Sequence, residues 1–168
     1  RSAYNQGFEI LIKFDADNQH KTIDLIKIIK KLSQQNVNFC KGYRNLTFKD
    51  SFKRKMPLIR IIGARALTFI SRVNTNNFKL KDVTNGLFGM RSVILKKVNF
   101  YNLKKDYFFE QDLIFKLSLR KIKIHQINSE VTYGNETSSL NALNTIFPFL
   151  VCHSQNFLEK LRYKFMKK

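Results

Sequence analysis

A change of period constrains this chain most. Residues 9–14, EILIKF, alternate so that Ile10, Ile12 and Phe14 share one side, the mark of a strand. Residues 22–32, TIDLIKIIKKL, instead carry Leu25, Ile28, Ile29 and Leu32 at helical spacing, with lysines mostly opposite. VNFCK at 37–41 returns to a short strand that ends at Gly42. Helical spacing of Tyr4 and Phe8 adds a helix over 1–8, and the order helix, strand, helix, strand predicts a parallel α/β sheet.

The rest of the chain continues the theme less regularly. Residues 45–56, NLTFKDSFKRKM, are polar and basic and read as a loop. Pro57 suits a helix start, and a helix over roughly 58–73 is expected to turn Ile59, Ile62, Ala66, Phe69 and Val73 inward. Asn85-Gly86, within DVTNGLFGMRS, marks a tight backbone turn. A helix at 109–119, a strand at 121–127 and an extended segment running into a loop at 130–141 follow. The tail, 141–168, reads as helix interrupted by Pro148, ending in the amphipathic LEKLRYKFMKK. The expected division is an α/β body at 1–140 and a basic helical tail at 141–168.

Charge narrows the partners. The chain has 31 Lys and Arg against 12 Asp and Glu, a net charge of +19, so its surface attracts nucleic acid, anionic lipid or phosphorylated substrates. With 43% hydrophobic residues over 168 positions it can bury a core, which excludes a disordered basic tail as the whole account. Cys40 and Cys152 match no metal spacing and read as buried thiols. No apolar run reaches the length of a membrane span.

Against that basic background, FDADNQH at 14–20 places two carboxylates one residue apart where a strand ends. In α/β sheets, ligands collect at such ends. Side chains at i and i+2 of an extended segment point the same way. Asp15 and Asp17 can therefore face one point, where they repel each other unless a cation lies between them. Mg²⁺ or Mn²⁺, held by one or two carboxylates plus substrate phosphates, suits the spot. The same residues also fit an acidic turn that caps the following helix.

The surrounding motifs carry a resemblance. FDADNQHKTIDLIKIIKKL followed by VNFCKGYRN is similar to the family 2 glycosyltransferases of the GT-A fold, in particular their polyprenyl-phosphate sugar transferase branch, which includes dolichol-phosphate mannosyltransferase. That branch reads Asp-Ala-Asp-Gly-Gln-His, then Gly-Ser-Arg. Here the segments are Asp15-Ala16-Asp17-Asn18-Gln19-His20 and Gly42-Tyr43-Arg44. Asp82-Val83-Thr84-Asn85-Gly86-Leu87, continuing to Arg91, is similar to the family's Asp-x-x-Ser/Asn-Gly-Phe/Tyr. YFFEQDLIFKL at 107–117 and YGNETSSLN at 133–141 resemble a bacterial cell-surface polysaccharide branch.

The resemblance implies a GT-A, Rossmann-like, mostly parallel sheet flanked by helices. It lacks the first nucleotide-binding strands, because nothing here matches the family's Pro-x-x-Asn-Glu segment, and it ends in the helical tail. It also implies roles. Asp15, Asp17 and Gln19 would hold Mg²⁺ or Mn²⁺ and, through it, the donor diphosphate. Arg44, Arg60 and Arg91 would bind phosphate groups. Asp112, Glu110 and Asp82 are the candidate catalytic or acceptor-contacting acids, although acids at a helix start also serve the helix itself. Glu136, Ser138 and Ser139 lie in a loop that family members close over the donor, but their expected role is turn chemistry. His20 reads as a helix-start residue and His125 as a structural residue on a strand.

The expected activity is metal-dependent, inverting sugar transfer from a nucleotide sugar to a polyprenyl phosphate or polysaccharide acceptor, at the cytoplasmic face of the cell membrane. The expected partners are the donor, the acceptor and an anionic membrane surface, with no nucleic acid. Two alternatives stand beside it: a basic nucleic-acid-binding domain, which the charge favours but the core-like placement of the aromatics does not, and an inactive remnant of a glycosyltransferase.

Overall fold

The computed structural model describes residues 6–15, 19–53, 55–105, 108–131 and 142–165. Asp17 and the segment 132–141, with Glu136, Ser138 and Ser139, lie outside the described residues, as does most of the helix expected at 1–8. Within that helix's range, Gln6 and Gly7 form a turn, Gly7 at φ 78°.

The elements in chain order are β1 (Ile10–Lys13), α1 (Thr22–Leu32), β2 (Phe39–Tyr43), α2 (Phe48–Lys53), α3 (Leu58–Thr75), β3 (Phe88–Arg91), α4 (Val93–Lys97), a 3-10 turn (Phe100–Asn102), α5 (Phe109–Leu119), β4 (His125–Asn128) and α6 (Ala142–Phe165). The sheet order is β1-β3-β2-β4. β2 and β4 pair in parallel, whereas β3 runs antiparallel to both β1 and β2. The sheet is mixed where a mostly parallel one was expected. β1, β2 and β4 run the same way, and the reversed β3 is inserted between the first two.

The sheet packs a core on each face because side chains alternate across the strands. Cys40 and Leu87, with Ile10 and Ile12 half-buried beside them, meet Ile28 and Leu32 of α1. Phe39, Phe88 and Met90 point the other way and meet Leu113, Ile114 and Leu117 of α5, with Leu11 packed against them. Of the four apolar α1 residues expected inward, Ile28 and Leu32 are fully buried and Ile29 is exposed. β3 has no room for side chains on the α1 face at its middle residue. A Cβ on Gly89 would stand 2.6 Å from Ile28 and 2.7 Å from Leu32, so glycine is required there.

α3 departs from expectation in phase. Its buried residues are Ile61, Ala64, Thr68, Ser71 and Asn74. Ile59, Ile62, Phe69 and Val73 are exposed, at 54%, 50%, 61% and 39%. On the polar inner face Thr68 Oγ1 donates to the Ala64 carbonyl and Asn74 donates to the His153 carbonyl of α6, while the buried Ser71 Oγ has no hydrogen-bond partner among the described residues. The apolar stripe is left facing outward. The loop expected at 45–56 contains the short helix α2, and the tail is one helix through Pro148, seated on the body through Phe149, Cys152, His153 and Asn156. Both cysteines are free and buried.

Candidate active site

The C-terminal end of β1 and the turn before β3 meet at a small cleft. Asp15, Gln19, His20, Arg44, Arg60, Thr84, Asn85, Gly86 and Val131 surround a cavity of about 120 Å³. Each arrives for a local reason. Asp15 is the second residue beyond β1. Arg44 follows β2, which is parallel to β1 in direction and so ends on the same side. Arg60 lies in the first turn of α3. Val131 is brought over by an antiparallel bridge to His20. That bridge is steadied by the buried Asp24 of α1, whose Oδ2 accepts from Ser129 Oγ at 3.1 Å and from the Glu130 amide at 2.9 Å.

The floor of the cleft is the 82–87 turn. Asn85 Oδ1 accepts from the Leu87 amide at 2.9 Å, closing an Asx turn that presents the Gly86 backbone. A Cβ on Gly86 would collide with the Asp15 carboxylate and stand 2.9 Å from Lys13 Nζ. The turn therefore admits the carboxylate only because residue 86 is glycine. Beneath it, the fully buried Lys41 of β2 donates from Nζ to the Asn85 carbonyl.

Charges are layered around this turn. Asp82 is completely buried and takes bonds from the Arg44 amide (3.1 Å), Arg44 Nε (2.7 Å), Arg44 Nη2 (3.1 Å), the Thr84 amide (3.0 Å) and Thr84 Oγ1 (2.9 Å). Burial alone would raise its pKa. The Arg44 guanidinium more than offsets that and, with Lys41, holds the carboxyl well below the usual range. For Lys41, burial is the largest influence and brings the ammonium down to about 8, while Asp82 and Glu110 act in the opposite direction. Lys13 Nζ lies 2.7 Å from Asp15 Oδ1 and 3.2 Å from Glu110 Oε1.

These positions sort the expected site residues. Asp15, Gln19, Arg44 and Arg60 line one cleft, and Glu110 is joined to it through Lys13. Three others fall elsewhere. Asp82 faces Arg44 inside the protein, so it has no access to an acceptor; it positions the guanidinium instead. Asp112 is buried and accepts from the Lys104 amide at 3.0 Å, because two residues along a helix turn the side chain about 200° away from Glu110. Arg91 lies at the far end of β3, about 10 Å along the strand from Phe88, and its guanidinium donates to the carbonyls of Leu32 and Val37. It caps the end of α1 rather than reaching a phosphate. Lys13 and Lys41 are the site residues that motif reading passed over. The available signal was a lysine at a strand position in phase with Leu11 and with Phe39, on the face that packs against α5.

The oxygens of Asp15 and Gln19 suit Mg²⁺ or Mn²⁺, hard cations that take few protein ligands when substrate phosphates complete the shell. The glycine-floored space beside the Asp15 carboxylate is consistent with that. Among the described residues, no three His, Cys, Asp or Glu side chains converge into a complete protein cage.

No protein-family model matches the chain. It is 26% identical over 151 residues to the UDP-N-acetylglucosamine–dolichyl-phosphate N-acetylglucosaminyltransferase of Methanococcus voltae, covering 90% of this chain and 59% of that protein. It is 28% identical over 149 residues to an uncharacterized protein of Methanocaldococcus jannaschii, covering 85% of this chain and 60% of the other. The chain thus spans about 60% of the length of these curated relatives. Among solved structures it is similar to glucosyl-3-phosphoglycerate synthase from Mycobacterium tuberculosis. The UDP complex matches with a TM-score of 0.62 at 14% identity, covering 89% of this chain and 50% of that one. The complex with Mn²⁺, UDP and glucosyl-3-phosphoglycerate matches at 0.57 and 13%, covering 86% and 49%. The likeness shows that the fold is GT-A.

Proposed function

We propose that this chain is the metal-binding part of an inverting glycosyltransferase that moves a sugar from a nucleotide diphosphate donor to a polyprenyl phosphate at a membrane surface. The observation that carries the reading is the convergence of Asp15, Gln19, Arg44 and Arg60 on one glycine-floored cleft in a GT-A fold. The relative from Methanococcus voltae, whose name specifies a UDP-sugar donor and a dolichyl-phosphate acceptor, supports the donor and acceptor classes.

In this reading Asp15 and Gln19, joined by Asp17, hold the divalent ion, which when bound neutralises charge on the departing diphosphate. Arg44 and Arg60 bind the acceptor phosphate. Arginine suits that task because its fork makes two parallel bonds. Asp82 keeps Arg44 in plane at the cleft wall. A phosphate acceptor is already an anion, so its oxygen attacks the anomeric carbon without a general base. Glu110, engaged with Lys13, is not needed as one. Attack opposite the leaving diphosphate inverts the centre.

The membrane part of the proposal rests on α3. The helix has no Asp or Glu, carries Arg60, Arg65 and Arg72, and turns its apolar stripe outward. Ile62 and Phe69 of that stripe line an open groove of about 960 Å³ whose lining also includes Arg44, Arg65, Arg72 and Lys81 and no acid. Apolar and basic residues on one exposed helix suit the interface of an anionic bilayer. Among the described residues no helix is long and apolar enough to cross a membrane. Changing Ile59 and Phe69 together to serine should weaken sedimentation with phosphatidylglycerol vesicles by about a hundredfold, since each buried apolar side chain contributes roughly 1.5 kcal/mol or more. Equal partitioning of variant and wild type would remove α3 from the membrane contact.

For the chemistry, Asp15→Asn in the full-length protein should abolish Mn²⁺-dependent sugar transfer from a UDP-sugar to a polyprenyl phosphate. Transfer that persists with the same Mn²⁺ dependence would count against the metal-seat role.

A further inference from the structure

Lys13 has no part in the mechanism above, yet it occupies its centre. Strand alternation puts Lys13 on the α5 face of the sheet with Leu11, and there it meets two carboxylates at once. Its Nζ is 2.7 Å from Asp15 Oδ1 and 3.2 Å from Glu110 Oε1. Glu110, in the first turn of α5, is only 17% exposed, whereas Asp15 is 40% exposed at the cleft edge. Lys13 Nζ and the Asp15 carboxylate also lie together over Gly86.

We infer that Lys13 is the resident counter-ion of the metal seat: its ammonium holds Asp15 while no metal is bound, and it passes to Glu110 when a divalent cation takes Asp15. The inference rests on the proposed metal role of Asp15 and adds a positioning residue and its receiver. A divalent ion on Asp15 repels an ammonium 2.7 Å from the same carboxylate. Glu110 already lies within ion-pair reach on the inner side, so the exchange needs a shift of one side chain and no backbone movement. Without Lys13 the cleft acid would lose its ion pair in the metal-free protein. With Lys13, cation binding must displace an existing pair, so the seat is weak until a diphosphate adds negative charge. The device makes metal binding depend on the nucleotide, and Lys13 and Glu110 act through Asp15 without being ligands.

The test is Mn²⁺ affinity by electron paramagnetic resonance, with and without UDP, on wild type, Lys13→Met, Glu110→Gln and the double variant. Lys13→Met should bind Mn²⁺ about tenfold more tightly without UDP, the scale of removing one nearby partly screened charge. It should also show a smaller gain on adding UDP. Glu110→Gln should weaken Mn²⁺ binding several-fold in wild type by removing the receiver, and should have a clearly smaller effect, the direct attraction of one partly screened charge alone, once Lys13 is gone. Lys81→Met, at the neighbouring groove, should shift the affinity less than twofold. Lys13→Gln repeats the measurement if Lys13→Met fails to fold. Mn²⁺ binding to wild type that Lys13→Met and Lys13→Gln leave unchanged or weaker overturns the inference and leaves the metal reading intact. An equal effect of Glu110→Gln with and without Lys13 also overturns it. No Mn²⁺ binding by any of the proteins, with or without UDP, overturns both.

Discussion

Asp82→Ala is expected to destabilise the protein by about 3–5 kcal/mol, the usual scale for removing one partner of a buried ion pair. The pair qualifies on burial: the Asp82 side chain is 0% exposed and that of Arg44 8%. Removing the carboxylate strips the guanidinium of its charge partner and also leaves the Arg44 and Thr84 amides and the Thr84 hydroxyl without an acceptor they use now. Domains of this size are stable by roughly 5–15 kcal/mol, so the loss is a large fraction of the total. Urea unfolding measures it. A double variant, Arg44→Met with Asp82→Leu, separates the two roles of the pair. It should recover part of the lost stability, because apolar residues of similar size replace buried ion pairs well, while binding an anion at the cleft more weakly, since Arg44 is gone and Arg60 remains. A stability change below about 1 kcal/mol for Asp82→Ala would show the pair to behave like an exposed one.

The second large effect is a loss of stability in mild acid through His153. This residue lies on the inner face of α6, 4% exposed, with Nδ1 3.3 Å from Asn74 Nδ2. Its Nε2 is buried with no hydrogen-bond partner among the described residues. Burial, aided by the positive charge of Lys104, pushes its pKa down to about 4. The unfolded chain takes up a proton near pH 6.5, before the folded protein does. Between those values the unfolded state binds more protons, so stability falls as pH falls. The contribution is complete above about pH 6.5 and is lost by about pH 4, some 3 kcal/mol at one pKa unit per 1.36 kcal/mol. Unfolding free energies compared at pH 7.5 and 4.5 should therefore differ more for wild type than for His153→Gln, by about 2–3 kcal/mol. Equal pH slopes for the two proteins would show that His153 is not held neutral by burial. The consequence reaches the proposed membrane helix, because Asn74 of α3 bonds to His153.

How far the site could be read from residues depended on how local its causes were. Asp15 and Gln19 come together because a strand period ends where a helix period starts, and both periods are written in consecutive residues. The short strand β3 was not legible. Phe88-Gly89-Met90-Arg91 is buried on both faces, so it lacks the alternation of a half-buried strand, and its glycine reads as a turn until α1 is seen packed against it. Arg91 was misplaced for the same reason: without the strand, nothing says that it lies at the opposite end from Gly86. Glu110 and Asp112 look equivalent in a list of acids and differ by most of half a helical turn in space. α3 was readable as a helix but not in its phase, because the usual rule assigns the apolar stripe to the core. Here Thr68, Ser71 and Asn74 take the inner face, where Thr68 accepts from the Val83 amide and Asn74 donates to the His153 carbonyl.

What the amino-acid order determined by itself was the alternation of strands and helices, the acidic segment at a strand end, the glycine before β3 and the strongly basic surface. Each is a short-range property, decided by periods of two or 3.6 residues, by backbone freedom or by charge count. What the tertiary structure alone decided was partnership: that Asp82 serves Arg44, that Lys13 stands between Asp15 and Glu110, and that α3 faces outward with its apolar side. Those depend on which distant segments the sheet brings within a few ångströms, and electrostatic interactions act at that range whatever the separation along the chain.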